Sequence, residues 1–311
     1  MDALRIIFAG SGEFGLQTLQ ALSDAGHELV QVVSQPDRPA GRGKVLTPTP
    51  IAKFAIERNL HLLRTRNINA ETLPSADLLV VIAFGQKIAP HVVDHPRLGG
   101  INLHASLLPK YRGAAPINWA IIRGETITGN SVIRLAERMD AGAVLGQSEL
   151  KISEVETAGQ LHDELSRDGA PLMLRVIEQL AAGTATEHQQ DESKATLAPK
   201  LSREIARLDF TRPVREVANR LRGLSPWPGC RVRLLHEDGS EVAKLTLLSC
   251  LAMPGEMKET PGTIFTNGGI VVGDGVLGII ELQPEGKRPM TVKDFRNGHP
   301  WEPGMRVESI A

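Results

Sequence analysis

Leu78-Leu-Val-Val-Ile-Ala83 is an apolar run unbroken by any polar residue. A strand that faces water on one side alternates apolar and polar residues, because successive side chains point to opposite faces. A short run without alternation fits a central strand of a parallel sheet, covered on both faces. The segments around it agree. Residues 5–9 and Leu29–Val33 read as strands, and Leu16, Leu19 and Leu22 recur at helical spacing up to Gly26. Ile101–His104 reads as a further strand, residues 114–123 as a helix, 131–137 and 144–151 as alternating strands, and 157–182 as a long helix closed by Gly183. Strands alternating with helices predict a doubly wound α/β fold built on a parallel sheet. Residues 35–50 read as a loop.

The pattern changes near residue 184. Residues 184–206 are polar and aperiodic and read as a linker, so the expected boundaries are 1–183, 184–206 and 207–311. Beyond the linker, Arg231–Leu235, Ala243–Leu251, Gly262–Phe265, Ile270–Val272 and Val276–Leu282 are short and β-like, punctuated by Asp-Gly, Asn-Gly-Gly and Gly-Asp-Gly turns. Five such strands predict a small β-barrel of the oligonucleotide-binding (OB-like) type. The net charge of -1 gives no global pull toward nucleic acid or membrane, so a polyanion site must be local. One candidate is 207–233, where seven arginines (Arg207, Arg212, Arg215, Arg220, Arg222, Arg231, Arg233) face only Asp209 and Glu216. A solvated face is the ordinary reading of a charge run. At the mouth of an OB-like barrel, a phosphate-backbone contact is the alternative. No apolar stretch reaches membrane-spanning length, and the N-terminus has no secretory pattern. Cys230 and Cys250, without metal-type spacing, read as reduced buried thiols of a cytoplasmic protein.

Three motifs bear on chemistry. Gly10-x-Gly12-x-x-Gly15 lies between a strand and a helix, where a dinucleotide fingerprint would lie. The second strand, however, ends in Ser34-Gln35-Pro36 rather than in the acid that would hold a ribose, and close packing alone also calls for such glycines. Asn102 and His104 stand two apart at the end of a predicted strand, hence on one face. In this architecture ligands bind outside the carboxyl ends of strands. A carboxamide there can donate to a developing oxyanion and an imidazole can carry a proton, which suits acyl or formyl transfer. The bland alternatives are a turn-capping Asn and a satisfied core His. Asp140, between two predicted strands, is a candidate orienting carboxylate or an ordinary turn aspartate. The loop Pro36–Lys44 sets Arg38, Arg42 and Lys44 against Asp37 and is long for its position.

Taken together these residues resemble the methionyl-tRNA formyltransferase family over almost the whole chain. Asn102-x-His104 followed by Ser106-Leu-Leu-Pro109-x-Tyr111-Arg-Gly113 resembles the signature of enzymes that use 10-formyltetrahydrofolate, and Met-Asp140-x-Gly matches the family's third catalytic position. The resemblance implies a Rossmann-like formyltransferase domain with Asn102, His104 and Asp140 as catalytic residues. It implies a folate site formed by Phe84, Gly85, Gln86, Ile88, Ser106, Leu107, Leu108 and Pro109. It further implies initiator methionyl-tRNA as acceptor, tetrahydrofolate as product, no metal, and a monomer. Arg38, Arg42 and Lys44 match the inserted loop that engages the acceptor stem. Lys200 matches a basic linker position, and Arg220 and Arg222 stand in the segment that resembles the opening of the C-terminal barrel. Two positions depart from the family pattern: the first turn reads Gly10-Ser-Gly-Glu-Phe14-Gly15, and the slot after His104, commonly Pro, is Ala105. A formyltransferase acting on a small amine would share the catalytic residues without needing the basic loop.

Overall fold

Residues 3–41 and 43–310 are described by the structure, a computed structural model. They divide into two compact units that interleave along the sequence. The first comprises residues up to 113 with 129–150 and 162–197, and the second comprises 114–128, 151–161 and 198 onward.

The first unit is built on a seven-stranded sheet ordered Val144–Lys151, Ile127–Arg134, Gly100–His104, Leu78–Ile82, Arg5–Gly10, Glu28–Ser34, Leu62–Arg64. Leu78–Ile82 is central and buried at all five positions, as its unbroken apolar run requires. Val144–Lys151 is an edge strand whose burial alternates along its length, as its polar–apolar alternation requires. The sheet is mixed rather than wholly parallel. Ile101–His104 pairs antiparallel with Ser131–Arg134, whereas its other neighbour, Leu79–Val81, runs parallel. Alternation of strands and helices does not report strand direction. The connection at 135–143 is also shorter than the roughly dozen residues a parallel crossover needs.

Helix Ala158–Ala181 spans the predicted 157–182 and carries Pro171 inside it. It crosses the strand Gly100–His104 so closely that a Cβ on Gly169 would sit 2.6 Å from Leu103 Cδ2. The 35–50 stretch is not a bare loop. Arg38–Ala40 and Val45–Thr47 pair as an antiparallel hairpin, and Thr49 caps a helix over Pro50–Glu57 by accepting from the Ala52 amide. Arg42 lies outside the described residues.

The glycine turn is a packing device. A Cβ on Gly10 would lie 2.8 Å from Phe8 Cε1 and 2.9 Å from the Ile82 carbonyl oxygen. Ser34, where a ribose-binding acid would stand, is buried and hydrogen-bonded to Thr49 Oγ1 at 2.6 Å. Gly10→Ala is therefore expected to destabilise the fold by about 1–3 kcal/mol, the usual cost of overpacking, with a lowered midpoint in urea as the readout.

The second unit is an antiparallel barrel, ordered Ile270–Val272, Gly275–Pro284, Glu241–Pro254, Cys230–Leu235, Arg306–Ser309, with Met290–Thr291 paired to Gly275–Pro284. The predicted Gly262–Phe265 strand is the closing piece. Thr263 bridges Arg306 and Ile264 bridges Ile270, which joins the two edges of the sheet. The core draws on Val232, Leu245, Leu247, Leu277, Leu282 and Trp301. Helix Val214–Gly223 packs Val214, Val217, Ala218 and Leu221 onto it, at the i, i+3, i+4, i+7 spacing of a helical face. Cys230 and Cys250 are free and buried there, and burial pushes both thiols up to about 12, so neither is a nucleophile at neutral pH. No helix among the described residues is long and apolar enough to cross a membrane.

Candidate active site

Two loops leave the carboxyl ends of adjacent parallel strands: 83–88 after Leu78–Ile82, and 105–113 after Gly100–His104. Asn102 and His104 share a face of the latter strand by the two-residue period. His104 is buried. Its Nε2 lies 2.9 Å from the Tyr111 carbonyl oxygen, and its Nδ1 lies 3.7 Å from Asp140 Oδ1. A carbonyl only accepts, so Nε2 carries a hydrogen and donates it. The nitrogen left to gain or lose a proton is Nδ1, the one facing the carboxylate. No group among the described residues hydrogen-bonds the Asn102 carboxamide, and Asn102 is half-buried.

Asp140 is held in an unusual conformation. Its φ is +54°, in the left-handed region that an aspartate tolerates better than most side chains, and Oδ2 accepts from the Gly113 amide at 2.9 Å. Two residues on, Gly142 is confined: a Cβ there would lie 1.9 Å from the Arg134 carbonyl oxygen.

The loop after His104 is held from the sheet side by hydroxyls. Ser131 Oγ donates to the Ser106 carbonyl at 2.6 Å and accepts from the Leu108 amide at 3.0 Å. Gln147 Nε2 donates to the Leu108 carbonyl at 3.0 Å and to Ser131 Oγ at 2.8 Å. Ser106 is buried with Oγ donating to the Lys110 carbonyl, and the Leu108–Pro109 bond is cis. On the outer side the same loop is gripped by residues read from sequence as linker. The Tyr111 amide donates to Thr196 Oγ1 at 2.9 Å, and the Arg112 amide to the Thr196 carbonyl at 2.9 Å. Arg112, only 6% exposed, is bound by Gln190 and Glu192. Its guanidinium, hydrogen-bonded to Glu192, holds that carboxyl below the ordinary range.

The eight residues expected at the folate site fall into two groups. Phe84 and Leu108 are buried, and Gln86 is committed internally, accepting from the Ile68 amide and donating to the Thr65 carbonyl, each at 2.9 Å. With Ser106 they shape the loops. Gly85 has φ +76° and is exposed, and Leu107 and Pro109 are half-buried. Ile88 lines a cleft of about 440 Å³ with Lys87, Ala89, Pro90, Leu135 and Glu137. Among the described residues no cluster of three or more His, Cys, Asp or Glu is placed to hold a metal ion.

The basic candidates also separate. Arg38 and Lys44 are exposed on the hairpin, while Asp37, the one acid of that loop, is paired with Arg64 at 2.9 Å. Asp37 therefore makes its close ion pair outside the loop. Lys200 is exposed. Arg220 is half-buried and donates from Nε to the Ile205 carbonyl at 3.0 Å. Arg222 is buried, and its Nη1 donates to the carbonyls of Ser153 and Glu156 at 2.9 Å each. Burial lowers the pKa of that guanidinium. The arginine excess counted along 207–233 also shrinks in three dimensions. Glu154, Glu285 and Glu308, all distant in sequence, pair with Arg215, Arg231 and Arg233.

The mixed α/β sheet and the β-barrel of the C-terminal segment are the two domains of a formyl transferase. Residues 4–177 match the formyl transferase family, and residues 200–300 match its formyl transferase C-terminal domain. Full-length relatives are more specific. A methionyl-tRNA formyltransferase of Acidobacterium capsulatum is 42% identical, covering 98% of this chain and 99% of the relative. One of Bacillus licheniformis is 38% identical, covering 97% and 98%. The chain belongs to the methionyl-tRNA formyltransferase family. Solved structures share the fold at low identity. HypX from Aquifex aeolicus in complex with tetrahydrofolic acid has a TM-score of 0.62 at 18% identity, over 94% of this chain and 47% of that one. The sugar 3N-formyl transferase WlaRD, with dTDP and 5-N-formyl-THF, has a TM-score of 0.62 at 17% identity, over 93% and 100%.

Proposed function

We propose that this chain transfers the formyl group of 10-formyltetrahydrofolate to the α-amine of methionine esterified to initiator tRNA, and that Asn102, His104 and Asp140 carry the reaction. The observation behind the residue assignment is that Asn102 shares a strand face with a buried His104 held between the Tyr111 carbonyl and the Asp140 carboxylate, which comes from the turn at 135–143.

The amine nitrogen attacks the formyl carbon, a new C–N bond forms, and the carbonyl oxygen gains charge. Asn102 donates to that oxygen from a position fixed before the reaction starts, so little reorganisation opposes it. The attacking nitrogen must lose a proton and the folate N10 must gain one as its bond to the formyl carbon breaks. Asp140 and His104 Nδ1 hold that proton between them and return it to N10. His104 Nε2, locked on Tyr111, orients the ring throughout. The products are N-formylmethionyl-tRNA, for translation initiation, and tetrahydrofolate.

The folate lies against the cleft beside Ile88, within loops shaped by Phe84, Gly85, Gln86, Ser106, Leu107, Leu108 and Pro109. Arg38, Arg42, Lys44, Lys200 and Arg220 contact the tRNA backbone, and Arg222, with its guanidinium turned inward, acts by fixing the end of its helix. Residues 1–183 carry the chemistry, 184–206 lead on from them while bracing the 105–113 loop through Gln190, Glu192 and Thr196, and 207–311 hold the tRNA. The protein works as a monomer in the cytoplasm.

The acceptor is tested by competition: formyl incorporation into methionyl-tRNA, compared with amino-sugar nucleotides and glycinamide-type amines at equal concentration. Preference for the small amines would contradict the assignment. The basic hairpin makes a separate prediction. Arg38→Ala and Lys44→Ala are each expected to raise the KM for tRNA about tenfold, the worth of one charge-assisted hydrogen bond. Each should also flatten the salt dependence of binding by about one unit of slope. The kcat at saturating tRNA and the KM for the formyl donor should stay unchanged; an unaltered tRNA KM would remove the hairpin from the interface.

A further inference from the structure

The segment from His188 to Thr196 lies outside the motifs that carry the family resemblance, and composition alone describes it as linker. In the folded chain it forms a strap around the site. His188 pairs with Val144 through both backbone bonds, at 2.8 and 2.9 Å, which sets the register of the strap two residues before Gln190. Gln190 Nε2 then donates to the carbonyls of Asp140 and Gly142, both at 2.8 Å. Its Oε1 accepts from Arg112 Nε at 3.1 Å and Nη2 at 2.8 Å. The amide orientation is dictated chemically, since the reverse would set an oxygen against two carbonyls and an NH2 against a guanidinium. Both donors and both acceptor sites of the side chain are thereby used.

We propose that Gln190 is a positioning residue for formyl transfer, acting through Asp140; this rests on the reading of Asp140 as part of the reacting couple. The turn that carries Asp140 in a left-handed backbone conformation presents the carbonyls of Asp140 and Gly142, and a side-chain amide from the strap binds both. The same amide is bound by Arg112, the residue before Gly113, and the Gly113 N–H binds the Asp140 carboxylate. Glu192 extends the clamp by binding Arg112 and, at 3.2 Å, Arg138 on the other flank of the turn. The Asp140 carboxylate is thus held from its backbone, from Gly113 and from both sides of its turn, as a reacting group must be if errors near 1 Å are to be avoided.

The test is a double-mutant cycle on the full-length enzyme, with methionyl-tRNA and 10-formyltetrahydrofolate as substrates. Gln190→Met keeps the length and loses every hydrogen bond; Gln190→Glu keeps the acceptor for Arg112 and loses the donors to Asp140 and Gly142. Both are expected to lower kcat about 10- to 100-fold, the cost of a misplaced reacting group, with KM for each substrate within about twofold. In an Asp140→Ala background, neither should lower kcat further, because a residue acting only through Asp140 has nothing left to position. Nitrogen-15 chemical shifts of the His104 ring should move in Gln190→Met. Losses that add to those of Asp140→Ala overturn the inference, as does Gln190→Glu at wild-type kcat. Should Asp140→Ala itself retain kcat, the reading of Asp140 falls first and the inference with it. A loss in Asp140→Ala with none in Gln190→Met removes the inference alone.

Discussion

Asn102→Ala is expected to lower kcat by about 10²–10³-fold, the effect of deleting one donor to a developing oxyanion. Affinities for tRNA and folate should remain within twofold. The structure supports so one-sided an outcome. Asn102 sits mid-sheet on a strand paired on both sides, Val81 on one and Ile133 on the other, so its backbone is held independently of its side chain. Its carboxamide takes no part in the described hydrogen bonds, so truncation strands no partner. A substitution that left kcat intact would remove the oxyanion role, and an equal loss of kcat and of thermal stability would make Asn102 a structural residue.

The second large effect is at Asp140. Asp140→Asn should cost about 10²–10⁴-fold in kcat, the range of a lost acid–base function. Asparagine is the discriminating replacement. It tolerates the left-handed φ of +54°, and its side-chain oxygen can still accept from Gly113. What it cannot do is take a proton alongside His104 Nδ1. Circular dichroism and melting temperature should be unchanged, and substrate KM values close to wild type. Activity retained in Asp140→Asn would mean that the carboxylate only shapes the turn.

How far these features were legible in the sequence depended on how local their causes are. The central strand was legible because Leu78–Ile82 has no polar residue to show to water, and the edge strand 144–151 because it does. The Asn102/His104 pairing was legible because the strand period alone places them together. The barrel strands were legible from their turns, and even the closing segment at 262–265 was marked as β-like. Other features depend on the fold. Strand direction at 127–134 is not written in hydrophobic periodicity. Helix Val214–Gly223 had a legible apolar face, but the arginines between those positions drew the reading toward charge. Their partners Glu154, Glu285 and Glu308 come from distant segments, so a count along the chain overstated the free positive charge.

The grip of Gln190 and Glu192 on Arg112, 78 and 80 residues away, had no local signal. A polar, aperiodic segment reads as linker whether it is solvated or, as here, spends its polar groups on the backbone of the turn that carries Asp140. Arg112 gave a partial hint, since an arginine between Tyr111 and Gly113 in a loop bound for burial needs acceptors from elsewhere.

The role proposed for Asn102 and Asp140 lies in the chemical step itself. Single-turnover formation of formylmethionyl-tRNA, with labelled methionyl-tRNA saturated by enzyme and by 10-formyltetrahydrofolate, measures that step directly. Asn102→Ala and Asp140→Asn are expected to remain slow by the factors above however much enzyme or donor is added. Recovery of the wild-type rate at higher enzyme or donor would contradict that role, and would make both residues part of binding rather than of formyl transfer.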